Sequence, residues 1–369
     1  MKTLSEEDLT DFIYGAAVYG TGGGGSIENA TRLIKEAVER NVAFKLVDPK
    51  KIPDDEIVAC PYGVGGGVQE EIRKRFESLP RLPQNEVISL AIDALEDHLG
   101  KKIYGFVLGE LGPGNSLLAM YMSALTGKYI VDGDAVGRSV PEVAHSTFNL
   151  CDVKITPFVI ATPFGDVMTV TKVLNDQRAE DIDRFMAVAS GGGVTVIDHP
   201  VEGKRLRESI ILNTVTKSIE VGRSLRLANS KGADPIEAIV KPTEGYELFR
   251  GEVSDLEREG RDGFIWGTVK LRGAGKYKGK TYRIWFKNEN LMTWLDEKPH
   301  VTCPDLVSLI DAKTGRGLSN WGEDLSKGRS VVALGIRAPE MWRGKRGLEI
   351  LSPSYFGFKA EYRPIEKIV

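Results

Sequence analysis

The sequence is poor in the residues that most readily reveal a chain's chemistry. Its 369 residues include 3 cysteines, Cys60, Cys151 and Cys303, and 4 histidines. The cysteines lie far apart with no CxxC pair, which excludes a disulfide scaffold and a thiolate zinc site on spacing grounds. Cys303, in "TCPDL", has no activating partner in sequence and reads as a structural thiol. No HExxH, GxSxG, Walker or EF-hand pattern occurs. Neither sign of charge dominates: 49 Lys and Arg against 52 Asp and Glu leave a net charge of −3, and no basic stripe points to nucleic acid. No apolar run reaches the roughly 20 residues of a membrane helix, and "MKTLSEEDLT" lacks the apolar core of a signal peptide. These absences predict a cytoplasmic protein without nucleic-acid or membrane partners.

Glycine, in contrast, is plentiful, at 41 residues. The run "TGGGGS", with Gly22, Gly23, Gly24 and Gly25 in succession, follows "SEEDLTDFIYGAAVYG", which has a Ser5 cap, acids in its first turn and apolar residues at helical spacing. A dinucleotide-binding fingerprint needs a strand before its glycines, so that reading fails. Two further loops, "GVGGGV" (63–68) and "GELGPGNS" (109–116), each follow a strand pattern and open a helix pattern. In an open α/β sheet such loops gather at the carboxyl ends of the strands and offer helix N-terminal N–H groups to a ligand. "TGGGGS" is either a nest lining that crevice or a plain tight turn.

Through about residue 245, short β-branched runs alternate with amphipathic helical patterns. This predicts an α/β domain over 1–245, with a mainly parallel sheet covered by helices on both faces. From Tyr246 onward, alternating segments such as "GFIWGTVKLRG" and "KTYRIWFKNENL" are separated by Gly, Pro and Asp turns, predicting a β-rich, barrel-like domain over 246–369. "VSDLEREGRDG" is either linker or hairpin.

Acids collect on the same loops. Glu110 follows one strand, Asp132 and Asp134 end the next in "VDGDAVGRSVPE", and Glu142 comes shortly after. Carboxylates at one crevice can act as acid and base or hold a metal; an Asx-capped turn is the competing reading of "DGD". Arg138 either clamps a substrate or makes a structural ion pair, and Asn115 either orients a ligand or caps a helix. His145 stands three residues beyond Glu142. Asp132, Asp134, Glu142 and His145 are the ligand candidates if a divalent metal is used. In "KNENL", Asn288, Glu289 and Asn290 break an apolar alternation and either reach across an interdomain cleft or form a hairpin turn.

"YGTGGGGS", "GELGPGNS", "VDGDAVGRSVPE", "SGGGV", "FKNENL", "CPDLVSLIDAKTG" and "SPSYFGF", in this order, resemble the S-methyl-thiohydantoin desulfurase-like family, formerly hydantoinase- or oxoprolinase-related proteins of unknown function. The resemblance spans nearly the whole chain. It implies an α/β domain followed by a β-barrel-like one, and an activity that replaces the methylthio group of a thiohydantoin ring with oxygen. Glu110, Asp132, Asp134 and Glu142 are then the candidate catalytic groups. Gly22 to Gly25, Asn115, Arg138, Asn288, Glu289 and Asn290 are the candidate substrate contacts, and Asp305 matches a further motif. One departure is Pro113, where the family commonly has a second glycine. The expectation is a hydrolase of a hydantoin-like or S-methyl-thiohydantoin ring, with loop N–H groups and carboxylates meeting at an interdomain cleft. The alternatives are a non-catalytic subunit of a hydantoinase- or oxoprolinase-type partner, and a phosphate or nucleotide binder. Self-association into a homo-oligomer is compatible with each.

Overall fold

Ser5 fixes where the first helix begins. Its hydroxyl accepts from the Asp8 N–H while the Asp8 carboxylate accepts from the Ser5 N–H, a reciprocal cap that satisfies two otherwise orphaned donors. The computed structural model describes residues 1–65, 70–261 and 263–369. Of the expected "GVGGGV" turn, residues 63–65 continue β3, while residues 66–68, with the helix start expected at Val68, lie outside the described residues.

The first part of the chain runs β1 (Lys2–Leu4), α1 (Glu6–Tyr19), α2 (Ile27–Glu39), β2 (Phe44–Val47), β3 (Ile57–Gly65), α3 (Glu70–Glu77), α4 (Gln84–Leu99), β4 (Ile103–Leu108), α5 (Pro113–Leu125) and β5 (Tyr129–Asp134). It continues through α6 (Thr147–Leu150), β6 (Phe158–Ala161), β7 (Val167–Val170), α7 (Asp176–Ala189), β8 (Gly193–Glu202), α8 (Gly203–Ser209), β9 (Ile211–Leu212), α9 (Thr214–Lys231) and α10 (Pro235–Thr243). The sheet order is β1-β2-β5-β4-β3-β8-β6-β7, with β9 beside β5. The expected parallel character resides in the central strands β2, β5, β4 and β3. The flanks are antiparallel; β6 and β7 form a hairpin, which requires that direction.

Neighbouring residues on a strand feed different cores, as a period of two demands. Phe106 packs with Val87, Ile88 and Leu95 of α4, whereas Val107 joins Phe148 of α6 and Leu206 of α8. α1 and α9 cross at almost backbone contact. A Cβ on Gly15 would stand 1.8 Å from the Ser218 carbonyl oxygen, and one on Gly222 would stand 1.7 Å from that of Asp11. Arg226 locks the crossing with paired hydrogen bonds to Asp11. That crossing fixes the direction in which α1 delivers the glycine run.

The second sheet comprises β10 (Tyr246–Arg261), β11 (Phe264–Gly273), β12 (Thr281–Lys287), β13 (Glu289–Leu295), β14 (Lys298–Thr302), β15 (Leu306–Asp311) and β16 (Ser330–Ile336). It is an antiparallel half-barrel in the order β14-β13-β12-β11-β10-β16-β15, closed over a core that includes Phe249, Val269, Ile284, Leu309 and Val331. "VSDLEREGRDG" falls largely on the outer end of β10, paired with β11 as a hairpin.

Candidate active site

The glycine run is shaped by what lies against it. Thr21, Gly22, Gly24 and Gly25 have φ of 48°, 97°, 77° and 83°, conformations that glycine adopts at little cost. A Cβ on Gly23 would fall 1.7 Å from Glu289 Oε1, and one on Gly24 would fall 2.4 Å from the Gly112 Cα. The run therefore admits a carboxylate from the second sheet on one side and the "GPGNS" loop on the other. The Gly24 carbonyl accepts from the N–H groups of both Gly114 and Asn115, each at 3.0 Å, and the Gly112 N–H donates to Ser116 Oγ. This corrects the expectation that those loop N–H groups would face a ligand: they stitch the loops together.

A cavity of about 640 Å³ opens between the two sheets. Gly24, Gly25, Glu110 and Asn115 line it from the first sheet, and Asn288, Glu289 and Trp321 from the second. Two of its acids, Glu110 and Glu289, meet behind the cavity wall at the buried Ser139. The Ser139 Oγ lies 2.8 Å from Glu110 Oε2 and 3.0 Å from Glu289 Oε1. Glu110 also accepts from Asn115 Nδ2 at 2.7 Å and from the Val140 N–H at 2.9 Å, while Glu289 Oε2 is buried without a hydrogen-bond partner among the described residues. A hydroxyl has one proton to donate, so both contacts are favourable only if one of the two acids is itself protonated. Glu289 is that acid: burial, then the charge of nearby Glu110, push its carboxyl well above the usual range. Burial raises Glu110 as well, opposed by its hydrogen bonds from Val140, Asn115 and Ser139. The arrangement is a pair of acids in different environments, one ionised and one neutral, as acid–base chemistry requires.

Glu142 also lines the cavity. It is paired with Lys287 and accepts from the Tyr355 hydroxyl at 2.7 Å. Burial opposes its charge, but the Lys287 ammonium and the Tyr355 hydroxyl bring its carboxyl below the ordinary value. His145 is fully buried, packed edge-on against Tyr355 at 4.7 Å, with neither ring nitrogen hydrogen-bonded among the described residues. Burial lowers its pKa to about 4, leaving a neutral imidazole.

Family models match the chain on both sides of residue 173. Residues 7–172 match the S-Me-THD-like N-terminal domain and residues 174–365 the S-Me-THD-like C-terminal domain. The chain belongs to the S-Me-THD-like family. The resemblance drawn from the motifs is thus borne out. No curated protein gives a significant match. A solved structure of a protein from Chromobacterium violaceum shares the fold, with a TM-score of 0.80 and 19% identity over 99% of this chain and 100% of its own.

Within this S-Me-THD-like fold, several expected site residues serve the scaffold instead. Asp132 is a helix cap: its carboxylate accepts from the Thr216 N–H at 3.0 Å and the Thr216 hydroxyl at 2.5 Å, in the first turn of α9. Asp134 turns back into its own loop, where its Oδ2 accepts from the Val136 and Gly137 N–H groups. Burial lifts its pKa to about 7, but it does not line the cavity. Arg138 is fully buried and donates to Thr21 Oγ1 and to the carbonyls of Ser139, Pro304, Asp305 and Asn290, so it joins the two sheets and has no donor directed at a substrate. The Asn290 side chain bonds Val307 and Asn320. Gly22 meets Asn320 and Gly23 meets Glu289, and neither borders the cavity. Asp305 accepts from the N–H groups of Ala338 and Ile365. Asn288 occupies the left-handed turn (φ 58°) between β12 and β13 while also bordering the cavity. The metal candidates Asp132, Asp134, Glu142 and His145 do not converge, and no group of three or more His, Cys, Asp or Glu suited to a metal occurs among the described residues.

The sequence reading also missed residues. Cys60 and Tyr62 of β3, and Asp198 and His199 of β8, border the same cavity. The doublet Asp198–His199 interrupts the apolar run "VTVI", a signal that gains meaning only once β8 is seen beside β3. Burial and then Asp198 push the Cys60 thiol up, away from the thiolate form. Ser139, between the motif residues Arg138 and Val140, carried no separate signal.

Proposed function

We propose that this protein is a hydrolase of a hydantoin-like ring, with an S-methyl-thiohydantoin as the substrate form. The observation that carries the reading is the sharing of one buried hydroxyl, Ser139 Oγ, by Glu110 from the first sheet and Glu289 from the second. Water adds to the ring carbon that bears the methylthio group. Glu110, ionised, takes a proton from that water as the C–O bond forms. Glu289, neutral, donates to the ring nitrogen that takes up negative charge. The C–S bond then breaks with its electron pair on sulfur, the added hydroxyl returns its proton to Glu289, the proton that Glu110 took from water passes to the departing thiolate, and the products are a hydantoin and methanethiol. Membership of the S-Me-THD-like family supports the substrate class. A phosphate-binding role has no support from a cavity bordered by Glu110, Glu142, Glu180 and Glu289.

The test is turnover of an S-methyl-thiohydantoin by the purified chain alone, without ATP. Methanethiol release by the wild type, reduced roughly 10²–10⁴-fold in Glu110→Gln, is the expected result. Release only after addition of a hydantoinase-type protein overturns it in favour of the partner-subunit role.

A further inference from the structure

The two sheets end in four strands, β1, β7, β14 and β15, and among the described residues β7 alone is left unguarded. β1 carries Lys2 and β14 carries Lys298 and Pro299, residues that discourage a further strand at an edge. The outer edge of β15 is taken by the chain that follows it: the Asp311 N–H donates to the Arg316 carbonyl and the Leu318 N–H to that of Leu309. β7, in contrast, holds no charge and no proline, and its register against β6 runs without a bulge.

The hairpin decides which groups of β7 point outward. The Thr162 N–H donates to the Asp166 carbonyl, and hydrogen-bonded pairs alternate along an antiparallel ladder, so Met168 and Val170 bond across to Ile160 and Phe158. Val167 and Thr169 then turn their N–H and C=O groups away from β6, and neither finds another backbone partner among the described residues. Side chains alternate as well. Val167 packs with the α4 cluster, Met168 and Val170 pack on the α7 side with Ile182 and Met186, and Thr169 is exposed. Apolar surface lies nearby: Leu174, just before α7, is 87% exposed and Phe185 of α7 is 73% exposed.

We propose that β7 pairs with β7 of a second copy of this chain, joining the first sheets of two protomers into one antiparallel sheet across a two-fold axis. Charge sets the register. With the axis at Thr169, the outward groups of Thr169 meet those of Thr169 of the partner subunit, Val167 meets Thr171 of the partner subunit, and Asp166 stands opposite Lys172 of the partner subunit on each side of the axis. Threonine pairs and opposite charges are favoured across strands. An axis one residue to either side would set Asp166 opposite Val170 or Leu174, neither of them charged. A two-fold perpendicular to the sheet keeps α7 of both protomers on one face, where Leu174 and Phe185 supply apolar cover. The same helix lends Glu180 and Arg184 to the cavity, so the seam backs one wall of the site.

Sedimentation velocity on the full chain tests the pairing. The wild type sediments as a dimer in the micromolar range. Thr169→Pro removes the outward N–H at the axis, and with it the two central hydrogen bonds, so the dissociation constant rises about tenfold or more while the far-UV spectrum is unchanged. If the proline variant does not fold, Thr169→Lys, which sets two ammonium groups side by side at the axis, takes its place. Lys172→Glu reads the register: it weakens the dimer several-fold, and Asp166→Lys in the same chain restores the affinity. A wild type that remains monomeric throughout the micromolar range, or a dimer that substitution at Thr169 leaves untouched, overturns the proposal. A dimer weakened at Thr169 but indifferent to Lys172→Glu overturns the register.

Discussion

Ser139 offers one proton to two carboxylates, and the proposed chemistry starts from that imbalance. Glu289→Gln keeps the shape and a hydrogen-bond donor but has no proton to transfer, so kcat falls roughly 10²–10⁴-fold while the melting temperature does not drop. A fall in stability matching the fall in rate would make Glu289 a packing residue. Asp183 gives an independent check on the buried acids. Burial, then Asp198, lifts its pKa from 3.8 to about 8, so between these values the folded state binds more protons than the unfolded one. Its stabilising contribution is full below about pH 4 and is lost as pH rises through about 8, with a slope of at most about 1.4 kcal/mol per pH unit. Asp183→Asn, which resembles the protonated acid, flattens this decline in urea unfolding measured at pH 5 and pH 8. An unchanged slope would show that Asp183 is ionised throughout.

At the scale of elements, the glycine run separates two effects. Gly24→Ala combines a left-handed backbone with a Cβ 2.4 Å from the Gly112 Cα, so it forces the two loops apart, costs about 1–3 kcal/mol and lowers activity. Gly100 has φ 64°, and a Cβ added there would meet nothing within 4 Å; Gly100→Ala carries only the backbone cost of about 1–2 kcal/mol and leaves activity unchanged. Equal loss of activity in both would remove the packing role of Gly24. Much at this scale is legible in the sequence. The Ser5 cap, the strand before "GELGPGNS" and the alternation after Tyr246 are local patterns, and local physics decides them. The fate of the loop N–H groups is not, because a donor spent on Gly24 looks the same in sequence as a donor left free. Asp132 and Asp134 mislead for a related reason: strand alternation puts them on one face of β5 without saying that α9 and a turn wait there. Asp198 and His199 escape notice because β8 joins β3 antiparallel from far along the chain, and no local pattern encodes that pairing.

For the whole molecule, the site exists only while the two sheets are held together. Arg138 supplies much of that hold: its guanidinium reaches Thr21, Asn290, Pro304 and Asp305 from a fully buried position. Arg138→Ala strands those carbonyls, at about 1–3 kcal/mol for each buried group left unsatisfied, so it unfolds at markedly lower temperature and is inactive as a consequence. An Arg138→Ala protein of native stability and no activity would instead assign Arg138 to the substrate. Glu110 and Glu289 reach Ser139 from different sheets, so the proposed hydrolytic centre is a property of the assembled pair.

That centre is tested most directly by isotope. The purified chain is incubated with an S-methyl-thiohydantoin in water enriched in oxygen-18, and the products are analysed by mass spectrometry. The expected result is one heavy oxygen in each hydantoin formed, one methanethiol released with it, and neither product from Glu110→Gln. Folded wild-type protein that binds the substrate but releases no methanethiol, or a hydantoin without the heavy oxygen, would contradict hydrolysis at this centre.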